Sequence, residues 1–359
     1  MFSRITTRTS SSIAANALLC LRDYEINAKK ILPIPAWTFL ASGADEEVTL
    51  RDNSRAFLRY KLRPRVLRNV ATRDLSTTIL GREIDMPICI GPTGLHTEAH
   101  KDGEVATAKG VADLNTCYVP SIYSGRLIED IFPVPTKGPK WQQIFIWKNR
   151  DMTRDVIKRA EDAGADALVL TTDVPAPGNR LGLRRLPPGP LPKFVNLERY
   201  GPTEGITMDA SVTWEYITWL KSITKLPIVL KGILTEEDAV LAAEYGINGI
   251  IVSNNGGRQL DTVPASIDVL ERIAKSVGNT IEIYMDSGIR TGTDVLKALA
   301  FGAKAVFIGR PIVYGLALQG EEGVSQVLQI LKDELSLAMA LSGCRSIGDI
   351  TPSLIMKST

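Results

Sequence analysis

The chain predicts an α/β fold: a closed (β/α)8 TIM barrel with an N-terminal helical cap and a long loop after the fourth strand. Three observations carry this expectation. Eight short apolar runs, rich in β-branched residues, recur between residues 86 and 308. Amphipathic stretches of helical period separate most of them. Nearly every run stops at a polar, charged or glycine residue. Strands alternating with helices imply a parallel sheet, and eight units fit a barrel. A doubly wound open sheet fits the same alternation and remains the alternative at this point.

The elements follow in order. Residues 1–22, MFSRITTRTSSSIAANALLCLR, hold Arg4, Arg8 and Arg22 with no acid, and many Ser and Thr. They read as an organelle transit peptide or as a disordered start. Residues 23–359 read as one barrel-type domain. Its first part, 23–70, is charged and helical, broken by Pro33 and Pro35, and forms a cap outside the main fold. The strands are MPICIG (86–91), NTCYV (115–119), QQIFIW (142–147), DALVLT (166–171), PIVLK (227–231), GIIVS (249–253), IEIYMD (281–286) and KAVFI (304–308). Intervening stretches such as DMTRDVIKRAEDAG (151–164) and TEEDAVLAAEYG (235–246) carry the helical period. The insertion at 174–224 opens VPAPGNRLGLRRLPPGPLPKF, too rich in Pro and Gly for a regular helix there, with a helix resuming near Trp214 to Ser222.

Composition excludes several classes. The chain has 359 residues, 44% hydrophobic and 23% charged, so it can bury a large core. A net charge of +2 gives no global case for a nucleic-acid or membrane-surface partner. No run has the length of a membrane span. Cys20, Cys89, Cys117 and Cys344 are scattered without metal spacing, and read as reduced, mostly buried thiols. With His96 and His100 the only histidines, no metal site is expected.

In a barrel, chemistry gathers at the C-terminal ends of the strands. Those ends carry Thr93, Ser121, Gln143, Thr171 with Asp173, Lys231, Ser253 with Asn255 and Arg258, Asp286, and Gly309 with Arg310. The stretch IIVSNNGGRQLD (250–261) is the clearest example, a buried strand that breaks into a polar, glycine-rich loop. The last two strands end in DSGIRTGTD (286–294) and IGRP (308–311), the glycine-and-arginine loops that form a phosphate cradle in this architecture. Arg310 would neutralise the phosphate, and Asp286 could accept from a sugar or ribityl hydroxyl. Lys231 could form a Schiff base, stabilise negative charge on a cofactor, or simply pair at the rim. Arg180 and Arg258 offer the guanidinium forks of a carboxylate clamp.

At these residues the chain resembles the FMN-dependent 2-hydroxy-acid oxidase family, which includes glycolate oxidase and the flavin domain of flavocytochrome b2. The stretches are ASGADEE (41–47), LRNVATRDLSTTILG (67–81), KGIL (231–234), SNNGGRQLD (253–261), GTDVLKALAFGAKAVFIGRP (292–311) and LAMALSGCRS (337–346). The likeness covers about residues 20–350 and is strongest to animal hydroxyacid oxidases. It implies the same barrel, FMN as cofactor, a small 2-hydroxy or 2-oxo acid as ligand, and a homo-oligomer, a tetramer in the family. It implies that Thr93, Ser121, Gln143 and Thr171 contact the flavin ring region. Lys231 would sit beside the flavin and stabilise its anionic reduced form, with Ser253 next to it. Asp286, Gly288 and Arg290 would hold the ribityl and phosphate, and Gly309 with Arg310 would complete the phosphate site. The family has two glycines after the aspartate; here Ser287 precedes Gly288.

The substrate side departs from the family. Arg180 and Arg258, the substrate-carboxylate arginines, are present. The family's catalytic histidine belongs in SNHGG, but Asn255 stands there. Phe39 and Phe145 occupy the places of two substrate-contacting tyrosines, and Asp173, which orients the histidine in the family, survives without it. An imidazole accepts a proton near neutral pH and a carboxamide does not. The expectation is therefore a flavoprotein whose ordinary oxidase chemistry is lost or altered while FMN and carboxylate binding persist. Altered flavin chemistry on a bound carboxylate stays open, as does a working oxidase with water or Asp173 as base. The ending IMKST lacks a C-terminal peroxisomal tripeptide, so mitochondria or cytosol is the expected location.

Overall fold

The computed structural model describes residues 18–189, 193–201 and 208–357. Most of the expected leader, parts of the insertion and the last two residues of IMKST lie outside the described residues. Leu21 and Arg22, assigned to the leader from the sequence, belong to the first cap helix, Leu21–Ile31.

Seven of the eight apolar runs form one parallel sheet. Its order is Ile88–Ile90, Ala305–Ile308, Glu282–Met285, Gly249–Val252, Ile228–Ile233, Ala167–Thr171, Trp141–Ile144. The remaining run closes the ring. Ile90 N donates to Cys117 O at 2.8 Å and Val119 N to Ile90 O at 2.9 Å. On the other side Trp141 N donates to Tyr118 O and Gln143 N to Pro120 O, both at 3.0 Å. Residues 117–120 thus bond to the first and third strands, and the barrel is closed; the open sheet is excluded. Pro120 and Pro139 have no N–H, which limits this rung to single bridges rather than a full ladder.

Alternation along the strands explains their apolar character on both faces. Cys89, Val119, Trp141, Val169, Val229, Ile251, Tyr284 and Phe307 fill the barrel interior. Their neighbours Ile90, Leu168, Leu170, Leu230 and Ile250 pack outward against the helices. A hairpin, Thr77–Ile79 with Arg82–Ile84, adds Ile79 and Ile84 to the interior cluster. Leu80 N donates to Glu282 Oε2 at 2.8 Å, at the start of its strand, so the hairpin stoppers the N-terminal end. The opposite end is left for the site.

The cap is the three helices Leu21–Ile31, Ile34–Ala41 and Val48–Arg55. Pro33 stands at the N-cap of the second and Pro35 in its first turn, where a missing N–H costs nothing. Asp261, from the loop after the sixth strand, accepts from Val48 N at 3.1 Å and Thr49 N at 2.8 Å, satisfying two N-terminal donors of the third helix. Asn53 and Asn254 exchange both amide hydrogen bonds, at 2.9 and 2.6 Å. These bonds fix the cap over the C-terminal ends of the strands. Within the insertion, Leu181–Arg184 makes one helical turn that the Pro- and Gly-rich composition argued against. The expected helix resumes at Glu215–Ile223. Among the described residues no helix is long and apolar enough to cross a membrane, and no group of three or more His, Cys, Asp or Glu is placed to hold a metal.

Candidate active site

Strand ends place the polar side chains at the mouth of the barrel. On one side lies a buried chain of hydrogen bonds. Ser121 Oγ donates to Gln143 Oε1 at 3.2 Å, and Gln143 Nε2 donates to Thr171 Oγ1 at 3.0 Å. Gln143 is fixed further by Ile122 N at 3.1 Å, so its amide orientation is set by three strands at once. On the other side Lys231 is buried, with Nζ donating to Ser253 Oγ and to Asn255 Oδ1, each at 3.1 Å, and lying 3.5 Å from Asp286 Oδ2. Between them opens a cavity of about 540 Å³ that Phe39, Ser121, Gln143, Phe145, Thr171, Lys231, Asn255 and Arg258 help to line.

A second cavity of about 70 Å³ adjoins it at Pro92, Lys231, Asn255 and Arg258. Its walls include Thr93, Asp286, Gly288, Arg290, Gly309 and Arg310. Gly288 has φ +91°, and a Cβ there would meet Asn53 O at 2.0 Å, so the loop can rest on the cap only with glycine. Ser287 has φ 76°, where the family has glycine. Its hydroxyl offsets that strain, donating to Asp286 Oδ1 at 2.7 Å and accepting from Gly256 N at 3.0 Å. The Ser287 hydroxyl thus ties this loop to Asp286 and to the Gly256 backbone.

Three guanidinium groups converge here. Burial, then the charges of Arg180 and Arg310, holds Arg258 well below the usual arginine range. Burial and Arg310 bring Arg180 down to about 10. Both lie over the Phe39 ring, at 5.1 Å for Arg258 and 5.5 Å for Arg180. Their hydrogen bonding differs. Arg180 Nη2 donates to the carbonyls of Thr38, Phe39 and Ser42 and to Ser42 Oγ, at 2.6–3.2 Å. One edge of Arg180 thus ties the insertion to the C-terminus of the second cap helix. Arg258 makes no side-chain hydrogen bond among the described residues, so its whole guanidinium fork is open to a carboxylate, while Arg180 keeps its Nε edge without a partner there. Arg310 likewise reaches the cap, with Nε donating to Leu40 O at 2.7 Å and Nη1 to Gly256 O at 3.0 Å. Neither cap contact was visible in the sequence, because the acceptors are backbone carbonyls.

Asp173 is the odd group. Both carboxylate oxygens are buried and have no hydrogen-bond partner among the described residues. Burial raises it to about 6; Lys231 opposes the rise and Asp286 adds to it. Asn255 does not compensate: its oxygen accepts from Lys231, and its amide donates no bond to Asp173 among the described residues. Its backbone has φ 53°, a conformation asparagine tolerates well. Two pocket aromatics went unremarked in the sequence: Tyr123 packs on Phe145 with ring centroids 5.3 Å apart and on Phe194 at 4.6 Å. Residues so far apart in the chain gave no local signal.

A closed (β/α)8 barrel whose last two strands end in glycine- and arginine-lined loops beside a buried lysine has the architecture of a flavin-binding barrel. Residues 28–357 match the FMN-dependent dehydrogenase family, and the chain belongs to it. It is 47% identical to human 2-hydroxyacid oxidase 1, over 95% of this chain and 97% of that one. The flavin-binding domain of baker's yeast flavocytochrome b2 superposes with a TM-score of 0.88 at 35% identity, over 95% of this chain and 87% of that chain. Mandelate oxidase with (S)-2-phenylpropionate gives a TM-score of 0.86 at 37% identity, over 93% and 97%.

FMN, the cofactor of the family, suits the residues present. Arg290 and Arg310, with the Gly288 cradle, match a phosphate. Asp286 matches ribityl hydroxyls. The Ser121–Gln143–Thr171 chain and Lys231 match the polar edge of a flavin ring. When bound, FMN supplies acceptance of two electrons from a substrate.

Proposed function

We propose that this chain is an FMN-binding flavoprotein that retains binding of a small carboxylate but has lost or altered the ordinary chemistry of a 2-hydroxy-acid oxidase. The observation that carries the reading is the pairing of Asn255 Oδ1 with Lys231 Nζ at 3.1 Å, while the carboxylate of Asp173 has no donor among the described residues. A carboxamide cannot take the substrate's hydroxyl proton. Phe39 and Phe145 cannot polarise or hold that hydroxyl either. Arg258 can still grip a 2-hydroxy or 2-oxo acid, with the Phe39 ring beneath it. Lys231 and Asp286 keep the flavin side charged and hydrogen-bonded.

A second reading has one observation in its favour. Asp173, raised to about 6, is poised to exchange a proton near neutral pH, as a slow substitute base. The two readings separate in anaerobic mixing of the FMN-loaded protein with glycolate, lactate, mandelate and longer 2-hydroxy acids. The first expects a saturable spectral shift without rapid bleaching. The second expects bleaching that rises with pH through about 6 and vanishes in Asp173→Asn. Rapid bleaching by any of these acids that Asp173→Asn leaves unchanged contradicts both.

A further inference from the structure

The cavity of about 540 Å³ is lined by four cationic side chains, Arg180, Arg184, Lys231 and Arg258, and by no Asp or Glu among the described residues. Lys231 has a counter-charge outside that lining, Asp286 Oδ2 at 3.5 Å. Arg184 has none there. Its Nη1 donates to the neutral Asn179 Oδ1 at 2.7 Å, and the Asn179 amide in turn donates to Asp45 Oδ1 at 2.6 Å. Asp45 is thus engaged by an amide and not by the guanidinium. Arg290 and Arg310, which match a phosphate, line the smaller cavity, so a phosphate there leaves the charge of Arg184 uncancelled. Arg184 stands one helical turn beyond Arg180, its N–H donating to Arg180 O at 3.1 Å. Arg180 is buried against the cap, whereas Arg184 is exposed. Side chains so spaced are neighbours on one helix face.

We propose that the acid bound here is a dicarboxylate, its first carboxylate held by Arg258 with the Nε edge of Arg180 and its second by Arg184. The inference rests on the carboxylate-binding reading above. Charge balance argues for it. One carboxylate between Arg180 and Arg258 leaves a guanidinium in excess before Arg184 is counted. A second carboxylate on Arg184 offsets its charge. Desolvation argues the same way. An apolar tail that reaches Arg184 strips water from a guanidinium and gives no bond in return, whereas a carboxylate matches its fork in two places. Phe39, Phe145 and Phe194 supply rings to the same walls, which suit the methylenes between two carboxylates.

The test is a titration of the FMN-loaded protein, read from the flavin spectrum, with three matched pairs of 2-oxo acids. They are oxaloacetate with 2-oxobutanoate, 2-oxoglutarate with 2-oxopentanoate, and 2-oxoadipate with 2-oxohexanoate. In each pair a methyl replaces the far carboxylate. A 2-oxo acid has no hydrogen on the carbon that flavin oxidises, so the spectrum reads binding alone. In at least one pair the diacid should bind about fivefold more tightly than its partner or better. That ratio should shrink as salt rises from about 50 to about 500 mM, because Arg184 is exposed. Arg184→Gln should bring the ratio to within about twofold of one, and Arg184→Glu should push it below one. A loosened loop alone does not invert a preference. Equal binding within every pair, with the monoacids still perturbing the flavin, overturns the second-carboxylate site alone. So does a ratio that both variants leave unchanged or lower to the same value. If no acid of either kind perturbs the flavin, the carboxylate reading falls and the diacid falls with it.

Discussion

Asp173→Asn should change the pH dependence of stability in a defined direction. The carboxylate is buried and without a donor among the described residues, and burial lifts it from the ordinary 3.8 to about 6. A difference of that size is worth about 3 kcal/mol. The folded state holds the proton more tightly than the unfolded chain. Between about pH 4 and about pH 6 the folded state therefore binds more protons, and stability falls as pH rises through that window. Above the window the full penalty is present. Asparagine has the same shape and does not titrate, so the variant lacks this fall. Its amide leaves a buried donor unpaired, a cost of about 1–3 kcal/mol that does not depend on pH. The stability of the variant relative to the unmodified protein should thus rise by about 3 kcal/mol between about pH 4 and about pH 7. Thermal midpoints of the FMN-loaded proteins by circular dichroism, at both pH values, measure the difference. An identical gap at the two pH values would show that Asp173 is hydrated or paired, and would remove it as a mark of the missing histidine.

Further outcomes follow from the same site. Arg258→Met removes the one clamp arginine without other hydrogen bonds, and should weaken carboxylate binding by about 10- to 100-fold, the loss of about 1.5–3 kcal/mol of charge-assisted bonding; an unchanged spectral titration refutes the clamp. The protein should purify yellow with one FMN per chain, released by heat and identified by chromatography, and colourless protein that takes up no FMN sinks the cofactor assignment. Ser287→Gly should leave FMN affinity within about threefold, because the hydroxyl bonds to Asp286 and Gly256 offset a left-handed backbone worth about 1–2 kcal/mol.

The parts of this molecule legible in the sequence are those written in local pattern. Seven strands and the helices at Arg150–Asp162 and Glu236–Glu244 coincide with apolar runs and periodic stretches to within a few residues. The run at 115–119 was read as a strand like the others, yet prolines reduce it to a bridging rung, so closure depends on a few backbone bonds. Strand-end polarity points to the candidate site because the barrel delivers every strand end to one face. What stayed hidden involves partners distant in the chain. Arg180 reads as a clamp residue, but its neighbours are helix C-terminal carbonyls contributed by Thr38, Phe39 and Ser42. The solitude of Asp173 could be suspected from Asn255, but not its burial. A cavity of about 280 Å³ arises where the insertion folds against Leu170 and Leu230, and no local pattern marks it.

The proposed function has flavin and carboxylate sites that persist while the proton acceptor is gone. Anaerobic stopped-flow bleaching of the FMN-loaded protein by glycolate, compared with Asn255→His, tests it most directly. Asp173 is in place to orient the new imidazole, and a positioned base contributes about 10²–10⁴-fold, or very roughly 3–5 kcal/mol of barrier. The unmodified protein should show little or no bleaching, and Asn255→His should gain at least about 10²-fold, increased again by Phe39→Tyr and Phe145→Tyr. Bleaching of the unmodified protein as fast as that of Asn255→His would contradict it and make this chain a working oxidase.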